Sequence, residues 1–336
     1  MMNIEEPSDL IPYLRSHRLI GPDDVPNIWT LTGGVSNRTV LVEPHGQASF
    51  VMKQALAKLR VDTDWFSSLE RVHREAQGMR SLQQLAPQGS ITTLLYEDYS
   101  EHLIAMSAVP RPNYTWKELL FSQPPEPCHF EVFAEILGQI HFRSRDDSSL
   151  AEIFEDRAEF ESLRLEPYYR FSASRIPETR AFFEELIDET LRQRLALVHG
   201  DYSPKNILVH ENKFVLVDHE VIHFGDPAFD VGFSLTHLLA KALHLGQYRR
   251  ELLISAELYV CRYLTSVRDA GFGASFEARA CRHTLACLLA RVMGRSPFEY
   301  LTDTEREWQR SVACRLMKNP PSGLSNLISQ FEEALN

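Results

Sequence analysis

No run of apolar residues in this 336-residue chain approaches the roughly 18 needed to cross a bilayer, so a membrane span is not expected. Basic residues are in the minority: 35 Lys and Arg stand against 46 Asp and Glu, a formal charge of −11. A nucleic-acid surface is normally basic, so nucleic acid is not an expected partner. Cysteine is sparse and scattered, at Cys128, Cys261, Cys281, Cys287 and Cys314. With no C-x-x-C and no Cys/His cluster of zinc-finger type, the thiols read as reduced and unlinked. G-x-S-x-G is missing, which counts against a serine hydrolase. Internal repeats and low-complexity stretches are absent too. The opening segment MMNIEEPSDL is acidic and polar, unlike a secretory signal, and the cytoplasm is the expected compartment.

What is present is enough apolar side chain for a sizeable core: 44% of residues are hydrophobic. Residues 7–17 read as a short helix capped by Ser8 or Asp9. Residues 28–43 read as strand, turn, strand, and 49–55 as a third strand. Val72, Ala76, Met79, Leu82 and Leu85 recur at spacings of three and four, which predicts an amphipathic helix over 68–86. Two more strands follow at 91–96 and 102–109. The stretch Ala108-Val109-Pro110-Arg111-Pro112 is stiff, because each proline restricts the residue before it, and reads as a hinge. From Trp116 onward the pattern is mainly helical, at 115–121, 129–142, 151–166, 178–195, 228–244, 247–270, 276–293 and 303–318. The expected class is α+β: a β-rich lobe over residues 1–109 and a larger, mainly helical lobe over 110–336.

One interruption of the helices carries chemistry. Residues 199–206 read HGDYSPKN, an apolar strand follows (Phe214 to Val217), and Asp218 comes twelve residues after Asn206. H-G-D-x4-N and a following Asp supply three separate functions needed for phosphoryl transfer. Asp201 can accept a proton from an attacking hydroxyl. Asn206 offers a neutral oxygen and Asp218 a charged one to Mg²⁺, a hard cation that prefers oxygen. Lys205 and Ser203 lie inside the loop, within reach of a transferred phosphoryl group.

Partners for this loop lie in the first third of the chain. Gly33, Gly34, Ser36 and Asn37 occupy a turn between two predicted strands, where glycine lets backbone N–H groups approach phosphates. Lys53 ends the apolar run Phe50-Val51-Met52, a position from which a lysine can clamp phosphates. Glu70 and Glu75 on the following helix are both candidates to hold it. Glu75 is preferred, because it lies one turn after Val72 and so at the border of the buried face. Met106 and Ala108, where the last strand runs into the hinge, complete the candidate nucleotide contacts.

In protein kinases the loop has Arg where this chain has Gly200, and D-F-G where this chain has Asp218-His219-Glu220. HGD-x4-N followed by D-x-E instead resembles the aminoglycoside phosphotransferase and choline kinase family of small-molecule kinases. The segment KQALAKLRV with Trp65 and HREA resembles methylthioribose kinases of the same superfamily, and GDYSPKN with FGDPAFDVG is closer to aminoglycoside phosphotransferases. The resemblance implies a protein-kinase-like fold, ATP (or GTP) with Mg²⁺, and a small-molecule hydroxyl acceptor. It implies that Glu220 assists the metal and that Asp226 and Asp230 brace the loop. The acceptor would bind between the loop and the C-terminal helices, with Tyr202, His219, His223, Arg291, Arg295, Glu299 and Tyr300 as candidate contacts. His199 reads as structural, and His237 and His283, on apolar helices, as satisfied core histidines. The main alternative is a nucleotide-binding module without transfer activity; the intact set Lys53, Asp201, Asn206 and Asp218 counts against it. A monomer and a homodimer are equally compatible with the sequence.

Overall fold

The computed structural model describes residues 2–31, 34, 36–60 and 65–335. Strands β1 (Asn27–Thr30), β2 (Asn37–Glu43), β3 (Phe50–Ala55), β4 (Leu94–Asp98) and β5 (Leu103–Ser107) form an antiparallel sheet of order β1-β2-β3-β5-β4. Helix α1 (Pro7–Ser16) packs on one face and α2 (Arg71–Leu85) on the other. The alternation of a strand decides which helix each residue meets. On β3, Phe50 and Met52 join Leu10 and Leu14 of α1 in one apolar cluster, while Val51 and Ala55 join Val72, Ala76 and Met79 of α2 in another. Lys53 falls in the second set, and this register points its ammonium group at α2.

The start of α1 differs from expectation. Glu6 precedes it, Pro7 occupies the first helical position, and neither Ser8 nor Asp9 caps it. Proline fits there because its missing N–H would have no helical partner anyway.

Beyond the hinge the chain is helical: α3 (Trp116–Ser122), α4 (Pro127–Ser144), α5 (Ser148–Ile153), α6 (Ala158–Phe160), α7 (Phe171–Arg175), α8 (Arg180–Arg192), α9 (Ala228–His244), α10 (Arg249–Ser266), α11 (Phe276–Met293), α12 (Asp303–Met317) and α13 (Leu324–Leu335). Helices α9 and α11 have the predicted bounds, and α9 is buried along almost its whole length. The helix expected over 151–166 is instead broken. Residues Glu161–Arg170 are π-helical, with Pro167 inside, where a proline removes a regular backbone bond. Small pairings set into the helices, β6 (Tyr114–Thr115) with β8 (Ile207–His210) and β9 (Lys213–Leu216), and β7 (Ala196–Val198) with β10 (His223–Gly225), hold the HGD loop.

Candidate active site

Strand β7 delivers residues 199–206 into the loop, and the β8–β9 hairpin turns the chain back so that the Val217 N–H donates to the Asn206 carbonyl at 3.0 Å. This return brings Asp218 beside Asn206. The loop's shape is set at Gly200, which has φ +77°; a Cβ there would sit 3.0 Å from the Val221 carbonyl oxygen and 2.8 Å from its side chain. Only glycine suits a left-handed residue so closely covered. The buried Asp230 carboxylate accepts the His199 and Gly200 N–H groups at 2.7 and 2.8 Å, and Arg164 Nε donates to the Gly200 carbonyl at 2.7 Å. Asp226, at the entrance to α9, accepts from Arg279 at 2.7 and 3.2 Å. Both aspartates are occupied with the backbone and with core arginine, as braces.

Asp201 is buried and surrounded by donors. Its Oδ2 accepts from Asn206 Nδ2 at 2.8 Å and lies 2.8 Å from Lys205 Nζ; its Oδ1 lies 3.1 Å from Arg164 Nη2, too poorly aligned for a hydrogen bond. Burial opposes its charge, but the Arg164 and Lys205 cations outweigh burial and hold the carboxyl below its usual range. Arg164 was not legible in the sequence: it lies on the π-helical segment, 37 residues before Asp201 in a stretch with no motif.

On the sheet side, Lys53 Nζ donates to Glu75 Oε1 at 2.7 Å and to Asp218 Oδ1 at 2.9 Å. Burial alone would lower the lysine pKa; the Asp218 and Glu75 carboxylates overcome it and hold the ammonium well above its ordinary value. Burial likewise opposes charge on Asp218, and the Lys53 and Lys205 cations keep that carboxyl well below the normal range. Asp218 adopts φ +70°. Glu70, the other candidate partner, is instead exposed and lies 3.5 Å from His102. Lys53, Glu75 and Asp218 thus meet at one point, with Asp201, Lys205, Asn206 and Arg164 forming the adjoining group.

Other residues singled out in the sequence are placed differently. Gly33 lies outside the described residues. Gly34 is exposed. Ser36 and Asn37 are buried; Asn37 Nδ2 donates to Ser36 Oγ and to Glu220 Oε2, both at 3.2 Å. Glu220 also receives Arg71 Nε at 3.2 Å, and Arg71, fully buried, further donates to the carbonyls of Ser36, Leu56 and Ser68. Glu220 therefore ties α2 and β2 to the segment after Asp218. Met106 is buried within the sheet, paired with Val51 and Leu94, and the Ala108 N–H donates to Ser49 at 3.2 Å.

The candidate acceptor contacts divide. Tyr202 is core: its hydroxyl donates to the Phe133 carbonyl at 2.6 Å. His199 and His219 face one another at 3.1 Å, and burial pushes both imidazoles down. His223 stacks on Phe160 and is held by burial at about 4. His283 is satisfied by Tyr169 and Thr190. Arg295 meets Glu166 at 3.2 Å and Glu299 pairs with Lys117, both at the surface. Arg291 is buried, lies over the rings of Tyr168, Phe233 and Phe298, and donates to Ser296. Arg164 lies over two of the same rings, Tyr168 and Phe233, so the two guanidinium groups flank one aromatic pair. Near Tyr300 and Phe121 lies Lys241, which sequence reading passed over. It is fully buried, and among the described residues it donates to the His237 carbonyl at 3.3 Å.

A sequence model of the phosphotransferase enzyme family, APH, matches residues 28–254. The chain belongs to this family. The matched span runs from β1 into α10 and so contains every member of the Lys53–Asp201–Asp218 assembly. Among relatives of this chain is the methylthioribose kinase of Pectobacterium carotovorum subsp. carotovorum (strain PC1), 24% identical over 229 residues, which are 58% of this chain and 54% of that protein. The chain spans about half the length of the curated relatives it matches. Among solved structures, the streptomycin–ATP–APH(2'')-IIa ternary complex superposes with a TM-score of 0.53 at 15% identity, covering 94% of this chain and 99% of that one. A choline/ethanolamine kinase family protein from Mesorhizobium loti superposes with a TM-score of 0.51 at 15% identity, covering 98% and 99%. At such identities the likeness is one of fold. The chain has the protein-kinase-like, α+β, two-lobe architecture expected from its sequence.

Proposed function

We propose that this phosphotransferase is a small-molecule kinase: it moves the γ-phosphoryl group of ATP, or of GTP, to a hydroxyl of a small acceptor. The observation that carries the reading is Lys53, held within 3 Å of both Glu75 and Asp218 beside a buried, ionised Asp201. Residues 1–109 form the nucleotide lobe and 110–336 the catalytic and acceptor lobe. The acceptor oxygen attacks the γ-phosphorus, the bond to the bridging oxygen breaks, nucleoside diphosphate leaves, and the hydroxyl proton passes to Asp201. Lys53 clamps the phosphates, while Glu75 fixes its position from α2. Magnesium suits the all-oxygen donors of Asn206 and Asp218: the Asn206 amide is turned to Asp201, which leaves its carbonyl oxygen for a cation, and when bound the ion offsets phosphate charge. Most of the rate enhancement then comes from positioning and fixed charge.

Glu220, engaged by Arg71 and Asn37, keeps α2 seated and is not needed as a ligand in this scheme. On the acceptor side, Lys241 and Arg291 are buried basic groups with no carboxylate in contact among the described residues, which favours an acceptor bearing oxygen-rich or anionic groups. The test is nucleotide turnover with Mg²⁺ against methylthioribose, sugars, hydroxy acids, choline, ethanolamine, homoserine, aminoglycosides and macrolides. Asp201→Asn is expected to lower kcat by about 10³-fold, within the range for a general base, with nucleotide affinity nearly unchanged. A loss of only a few fold would remove Asp201 from the role of base.

A further inference from the structure

At the start of α2 lies a second group of side chains that the transfer reaction does not use. The Oε of Glu70, a ring nitrogen of His73 and a ring nitrogen of His102 lie within 4.8 Å of one another. Glu70 stands just before α2, His73 in its first turn, and His102 in the turn between β4 and β5, so three places in the chain converge. His73 is buried, and its Nδ1 faces Glu97 Oε1 at 2.8 Å. That contact assigns the Nδ1 proton to the carboxylate side and leaves the Nε2 lone pair inward. His73 Nε2 has no hydrogen-bond partner although it is buried, and His102 Nδ1 is likewise buried and without one. Tyr99 lies flat over His73 with ring centroids 4.0 Å apart.

We propose that Glu70, His73 and His102 form a binding site for a divalent transition-metal ion of the zinc type, with Glu97 orienting His73. The donor set is two imidazoles and one carboxylate, with room for water as a fourth ligand; this is zinc chemistry, distinct from the all-oxygen preference of magnesium. Tetrahedral ligands at about 2.0–2.1 Å from zinc stand about 3.4 Å apart, so the Glu70 carboxylate and the His102 ring would close in on the ion from separations within 4.8 Å. A carboxylate behind a ligating histidine is the usual supporting arrangement. The ion would pin the start of α2 to the β4–β5 turn. Glu75, which holds Lys53, lies only two residues beyond His73 on the same helix.

The experiment is calorimetric titration of the metal-stripped full chain with Zn²⁺ in the presence of excess Mg²⁺. One Zn²⁺ per chain is expected, undisturbed by Mg²⁺, with a rise in Tm. His102→Asn keeps the left-handed backbone at this position (φ +47°), which asparagine adopts readily, and should weaken Zn²⁺ at least tenfold. Glu97→Gln should weaken it 10- to 100-fold by loosening His73. The Tm of each metal-free variant checks folding. Absence of Zn²⁺ binding by the unmodified chain overturns the proposal. So does unchanged affinity in His102→Asn, or loss of binding in Cys128→Ser, which would move the ion to the group Glu126, Cys128 and His129.

Discussion

Lys53 and Lys241 are both buried, one beneath the sheet and the other in the helical bundle, and they keep different company. Lys53 is bonded to two carboxylates and its pKa is driven up; Lys241 has a carbonyl and two aromatic rings, and burial, with help from Lys117, drives its pKa down to about 7. The contrast teaches that burial does not decide the charge of a lysine: its neighbours do. A permanent cation suits the polyphosphate side of a kinase. An amine that titrates near neutrality suits a site where the incoming molecule brings the counter-charge.

Lys53→Met tests this contrast most severely. It leaves Glu75 and Asp218 facing each other in the interior, and breaking a buried pair in this way costs about 3–5 kcal/mol. Urea denaturation should show that loss, and nucleotide KM should rise steeply. Lys241→Met should do the opposite, with stability at neutral pH unchanged or increased, because a buried charge without a carboxylate is removed. Its pH dependence sharpens the comparison. A folded-state pKa of about 7 lies below the unfolded value for lysine, so the unfolded chain binds the extra proton between them. Stability from this group therefore rises with pH from about 7 to about 10, by up to 1.4 kcal/mol per unit, and is lost as pH falls. The difference between wild type and Lys241→Met, measured at pH 7.5 and 9.5, should grow in favour of wild type at the higher pH. The smallest effect is expected at Tyr300, whose buried hydroxyl has no partner. Tyr300→Phe should shift stability by less than about 1 kcal/mol while weakening an acceptor that uses the hydroxyl.

The parts of the site that follow chain periodicity were legible in advance. The phase of α2 pointed to Glu75 over Glu70, and the pairing with Lys53 follows from strand alternation on β3. Helices α9 and α11 were readable because long apolar segments leave little choice of element. Arg164 and Arg71 were not, because an arginine within a polar-looking helix carries no sign that its head group will be buried against distant carbonyls. The histidines of the proposed metal site escaped for a related reason: 29 residues separate His73 from His102, and a sheet register, absent from the linear sequence, brings them together. Tyr202, His219 and His223 were read as facing an acceptor because they flank the loop. The tight fit of Gly200 against Val221 turns that flank into core.

Gly200 has one more consequence. Its conformation is held by a carboxylate on α9 and a guanidinium on the π-helical segment, both deep in the helical lobe. Protein kinases carry an arginine at this place, a charged handle on the catalytic loop. Here that handle is missing, so a phosphate added elsewhere on the chain would find no side chain at this position to pull. The loop's shape rests on contacts made within the helical lobe itself. Force can reach the loop here only through its backbone, by way of Asp230 and Arg164.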